Sequence, residues 1–105
     1  MRWAWCSALQ ACKDAPLRRE LRFRGNVQGV GFRWRARQAA GELGLTGWVQ
    51  NLEDGSVLMQ VQGPEQDIDR LLLHLEASRY IRIENMSVKS LPLAAHEDGF
   101  SVRGY

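Results

Sequence analysis

A chain of 105 residues, 45% hydrophobic and 25% charged with a net charge of +2, has the size and composition of one globular domain, which excludes disordered, collagen-like and coiled-coil classes. No apolar run approaches the roughly 20 residues needed to span a bilayer as a helix. The small net charge hides an asymmetry: residues 18–37 hold seven arginines against Glu20 alone, whereas residues 38–105 hold five basic and ten acidic groups. A positive field focused in this way suits a small anion, while a nucleic-acid surface more often spreads its basic groups as a stripe through the domain.

Residues 1–17 are expected to form a loosely ordered N-terminal extension, with the domain occupying residues 18–105. Lys13 and Asp14 interrupt the apolar opening early, and few basic residues precede it, so it does not read as a secretory signal. Cys6 and Cys12 both lie in this extension without a partner cluster of His or Asp, which argues against a metal site. Free thiols and a cytoplasmic location are the default expectation.

After Pro16, Leu21, Phe23 and Val27 alternate with Arg22, Arg24 and Asn26, the pattern of a half-buried strand. From Phe32 the period changes, and Phe32, Ala36, Ala39, Ala40 and Leu43 fall on one helical face, with Gly44 placed to stop the helix. Trp48, Val49, Val57 and Val61 then favour two strands joined by a hairpin at Glu53, Asp54 and Gly55. A second helix is expected with Gly63 as N-cap and Pro64 in its first turn, a core stripe of Ile68, Leu71, Leu72 and Leu75, and an end near Ser78. Ile81 and Ile83 are out of phase with Met86 and Val88, so the fourth strand should bulge near Asn85. Phe100 and Val102 mark a short last strand.

This order, β-α-β-β-α-β with an added terminal strand, predicts an α+β fold of the ferredoxin-like type: an α/β sandwich with an antiparallel sheet and two helices on one face. Fold alone does not supply function. The chemistry has to come from the loop "GNVQGVGFR", residues 25–33. Its glycines permit several consecutive N–H groups to turn toward one point beside a helix N-terminus, a nest suited to phosphate or another oxyanion. Arg33 is locally unfavourable at that positive helix end unless an anion joins it, and its planar guanidinium offers paired donors to two phosphate oxygens. Arg35 points to the other side of the helix, and Arg37 reads as a solvated or steering charge. Glycine-rich turns and surface arginines are also common without any site, so spacing alone leaves both readings open. The loop lacks the Gly-Lys-Ser/Thr ending of a P-loop and the G-x-G-x-x-G spacing of a dinucleotide site.

The loop "GNVQGVGFR" followed by "GLTGWVQN", residues 44–51, resembles the paired signatures of the acylphosphatases, and the similarity extends from about Arg19 to Tyr105. The resemblance implies the ferredoxin-like sandwich and hydrolysis of the carboxyl-phosphate bond of acyl phosphates to a carboxylate and inorganic phosphate, without metal or cofactor. Carried over by position, Val27, Gln28, Gly29, Val30, Gly31, Phe32 and Arg33 would form the phosphate-binding loop. Arg33 would clamp the phosphoryl oxygens, and Asn51 would hold the attacking water. Asn26 departs from a position that is often basic in the family, and Arg22 and Arg24 are candidates to attract substrate in its place. The implied partners are a small acyl phosphate substrate and inorganic phosphate as product and inhibitor, with no nucleic acid, no membrane and a monomeric state. The rival reading is a noncatalytic anion-binding or regulatory domain of the same fold. His74 and His96 have no partner in sequence to recruit them as catalysts, and Trp48 reads as a sheet-packing residue.

Overall fold

Alternation of apolar and charged side chains builds the first strand, and a computed structural model, which describes residues 15–103, places it at Pro16–Asn26 as β1. Leu21 and Phe23 are buried on one face of this strand. The strand thus begins two residues ahead of the expected boundary at residue 18. The expectations for Cys6, Cys12 and the rest of residues 1–14 lie outside the described residues, as does Tyr105.

Helix α1, Phe32–Leu43, buries Phe32, Ala36, Ala39 and Ala40, and Gly44 ends it in a left-handed conformation. Strands β2, Thr46–Asn51, and β3, Val57–Pro64, follow, with Val57, Met59 and Val61 buried on the same face as Leu21 and Phe23. In the turn between them, the Ser56 hydroxyl and N–H both donate to Asp54, which holds that carboxyl below its ordinary value of 3.8. Helix α2, Glu65–Glu76, buries Ile68, Leu71 and Leu75. Its N-cap is Pro64, one residue later than expected, because β3 continues through Gly63 and Pro64 to pair with Leu17 and Pro16. It also stops at Glu76, short of Ser78; the Ala77 and Ser78 N–H groups close its last turn on Leu73 and Leu75.

Strand β4, Arg82–Leu91, pairs with β1, and the register shifts where Arg24 faces Asn85 and Gly25 faces Ile83, leaving Glu84 as the extra residue. The bulge foreseen from the change of phase is therefore present next to Asn85. Gly25 makes it possible: a Cβ there would stand 2.3 Å from the Arg82 carbonyl oxygen. Strand β5, Phe100–Arg103, completes a five-stranded sheet of order β4-β1-β3-β2-β5.

The first four strands pair antiparallel in the ferredoxin-like arrangement, and the buried faces of both helices share one core with the sheet. The added β5 pairs with β2 in parallel, so the complete sheet is mixed. Since β4 and β5 occupy opposite edges, residues 92–99 must pass across the sheet face that the helices leave uncovered. No helix among the described residues is long and apolar enough to cross a membrane.

Candidate active site

Five residues separate the end of β1 from the start of α1, and two of them are glycines in the left-handed region, Gly29 at φ 74° and Gly31 at φ 80°. A Cβ at either would meet nothing within 4 Å. What glycine contributes here is the backbone conformation itself, which L-residues reach only at a cost of about 1–2 kcal/mol. Gly31 is the N-cap of α1 and offers no side-chain acceptor, and the first turn of α1 holds no acidic residue. The first turn of α2, by contrast, carries Glu65 and Asp67. The two helices thus present different ends: α2 carries acidic side chains at its positive pole, and α1 carries none.

The loop is fastened on both sides. Gln28 donates its amide to the carbonyls of Leu52 at 2.7 Å and Ser56 at 2.8 Å, which ties the loop to the β2–β3 turn just beyond Asn51. Val27 and Phe32 are buried, and the Phe32 ring packs against Phe23 with centroids 4.9 Å apart. Arg33 Nη1 donates to the Arg103 carbonyl of β5 at 3.1 Å.

These constraints bring Val27, Gly29, Gly31, Phe32, Arg33 and Asn51 around one cavity of about 360 Å³, within the usual size range of small-molecule sites. Gln28 and Val30 do not line it: the Gln28 amide serves the hairpin, and Val30 packs against the core. Trp34, Arg37 and Val102 also contribute to the wall. The charged lining is two guanidinium groups with no carboxylate, which favours an oxyanion. No cluster of three potential metal ligands occurs among the described residues.

A model of the acylphosphatase family matches residues 19–102. The chain belongs to the acylphosphatase family. It is 46% identical over 80 residues to an acylphosphatase of Pseudomonas paraeruginosa, covering 75% of this chain and 87% of the relative. An acylphosphatase of Oceanobacillus iheyensis is 44% identical over 70 residues, 65% of this chain and 77% of the relative. The crystal structure of acylphosphatase from Bacillus subtilis superposes with a TM-score of 0.77 at 29% identity, covering 84% of this chain and 99% of that one.

Set on this acylphosphatase framework, the arginine-rich stretch divides by sheet face and helix face. Arg37 lines the cavity one turn after Arg33 rather than serving only as a solvated charge, a placement legible in the four-residue spacing. Arg35 donates to the His74 carbonyl at 3.0 Å and ties the two helices together. Arg22 and Arg24 alternate onto the opposite face of the sheet from Leu21 and Phe23, and Arg24 lies 3.7 Å from Asp54. Neither lines the site, so they do not replace a base at Asn26 by contact. Trp34, 65% exposed, stands at the cavity mouth, whereas Trp48 packs in the sheet beneath the Arg103 guanidinium, 4.5 Å from its ring centroid. His74 and His96 lie outside the cavity. The contribution of β5 was not foreseen, since a backbone carbonyl leaves no trace in side-chain pattern.

Proposed function

We propose that the chain hydrolyses acyl phosphates at this cavity, with the phosphoryl group held by the cavity-facing N–H groups of the Val27–Arg33 loop and by Arg33, and with water oriented by Asn51. The carrying observation is the convergence of Arg33 and Asn51 on one cavity at the uncapped N-terminus of α1. A carboxylate is a weakly basic leaving group, so the reaction needs no strong general acid. Its demands are alignment and stabilisation of charge on the equatorial phosphoryl oxygens, which N–H donors and a guanidinium supply.

An amide side chain is too weak a base to deprotonate water. Asn51 therefore fixes the water by hydrogen bonding, the water oxygen bonds to phosphorus, and the bond from phosphorus to the acyl oxygen breaks. The electron pair leaves with the carboxylate, and the proton from water passes to a phosphoryl oxygen. Inorganic phosphate is the second product and, by occupying the same donors, a competitive inhibitor. The same reading takes residues 18–105 as the functional unit, acting as a cytoplasmic monomer without nucleic-acid partners.

Hydrolysis of benzoyl phosphate and acetyl phosphate in the presence of a chelator tests the proposal. Turnover that persists with chelator and is inhibited competitively by phosphate is the expected result. A folded protein giving no rate above the uncatalysed background would refute it and leave the noncatalytic anion-binding alternative.

A further inference from the structure

The face of the sheet opposite the helices carries a polar assembly that the proposed chemistry does not use. Arg18 is only 6% exposed there, and its guanidinium makes a two-pronged pair with Glu97, Nη1 to Oε1 at 2.7 Å and Nη2 to Oε2 at 3.1 Å. Its remaining donors go to Gln60 and Gln62 on β3. Gln62 in turn exchanges two hydrogen bonds with Ala94, accepting from its N–H at 2.8 Å and donating to its carbonyl at 3.2 Å. Both partners, Ala94 and Glu97, belong to the segment 92–99 that crosses from β4 to β5. Arg18 and Gln62 therefore pin this strap at two points onto the middle of the sheet.

What the strap delivers is part of the site. Strand β5 is four residues long, pairs with β2 alone among the described residues, and begins immediately after Gly99, whose carbonyl accepts from the Gly47 N–H at 3.1 Å. It then supplies Val102 to the cavity wall and the Arg103 carbonyl to Arg33. A half-buried arginine loses considerable rotamer freedom when held in one geometry. The Arg103 carbonyl is its one hydrogen-bond partner among the described residues, so the placement of β5 decides how much of that cost is met before the phosphate arrives.

We propose that the Arg18–Glu97 pair is a positioning device for Arg33: by fixing the strap, it sets the register of β5 and so preorganises the guanidinium for phosphate. Neither Arg18 nor Glu97 lines the cavity, and both are positioning residues. The proposal rests on the reading of Arg33 as the phosphate clamp.

The test compares Glu97→Ala with Arg19→Ala. The latter breaks another ion pair, Arg19 to Glu65 at 2.9 Å, which joins β1 to α2 and has no link to the strap. Each variant is assayed well below its own Tm for KM and kcat with benzoyl phosphate and for binding of inorganic phosphate by titration. Glu97→Ala should weaken phosphate binding and raise KM by about fivefold, with a smaller change in kcat. Glu97→Gln, which keeps an acceptor for Arg18, should recover most of the loss, and Arg19→Ala should lower Tm with phosphate binding unchanged. If Glu97→Ala does not fold, Gln62→Ala, which releases the strap at its other anchor, carries the same expectation. Unchanged phosphate binding in the folded strap variant, or an equal loss in Arg19→Ala, overturns the proposal. Because phosphate binding is measured separately, a wild-type protein that binds phosphate without turnover would refute the hydrolase reading and leave the positioning role open to the same comparison.

Discussion

Arg18 and Arg33 are set on opposite sides of the same sheet, and the contrast between their surroundings separates a cation paired within the chain from the one proposed to hold phosphate. Arg18 is buried and its charge is answered within the chain by both oxygens of Glu97. Arg33 stands at the N-terminus of α1, where the helix dipole disfavours it, and its hydrogen bond among the described residues goes to a neutral carbonyl. A guanidinium with its own carboxylate has little left to offer an anion; one held by a carbonyl is oriented while keeping its full charge and most of its donors.

The sharpest way to break this comparison is to remove each arginine and read stability and activity together. Arg33→Ala should reduce kcat/KM by about 10³-fold or more, yet change stability by no more than about 1 kcal/mol, since it deletes an unfavourable interaction with the dipole along with one exposed hydrogen bond. Arg33→Lys should remain severely impaired, because a point charge does not replace a planar fork. Asn51→Ala should lower kcat by about 10²-fold while phosphate inhibition stays near the wild-type value; parallel loss of both would remove the water-positioning role. Arg18→Met should show the reverse emphasis, destabilising by about 2 kcal/mol because Glu97 is left without its partner, as read by chemical denaturation.

Acid sharpens the same distinction. Hydrogen bonding to Arg18 is the main reason that the Glu97 carboxyl sits below its ordinary value of 4.5. A lowered folded-state pKa means that this pair contributes its full stability above about pH 4.5 and loses it as the pH falls through the folded value below that. The wild-type Tm should therefore fall more steeply below pH 4.5 than that of Glu97→Gln, measured in a pH series of thermal melts. The smallest effect is expected at the cavity rim, where Arg37→Ala should weaken phosphate inhibition about two- to threefold, with the difference shrinking as salt is added.

Most of the fold and the centre of the site were legible because they depend on local pattern. The buried stripe Phe32, Ala36, Ala39 and Ala40, the stop at Gly44 and the change of phase near Asn85 each record a local requirement. The start of α2 was less legible, since Gly63 and Pro64 suit a helix entrance equally well whether or not β3 extends through them, and pairing with β1 decided in favour of the strand. Gly29, Gly31, Arg33 and Asn51 were visible through residue type and order. The contributions of Val102 and the Arg103 carbonyl depend on β5 joining β2 at the far edge of the sheet, a long-range outcome of the strap that a four-residue strand does not encode by itself.

The central claim is that Arg33 is completed by an anion, and thermal denaturation in the presence of inorganic phosphate tests it most directly. A ligand that binds only the folded state raises its stability by an amount set by concentration and Kd. Phosphate should raise the wild-type Tm progressively with concentration and leave Arg33→Ala nearly unmoved, with chloride at equal ionic strength inactive in both. An equal phosphate shift in the two proteins would contradict the account.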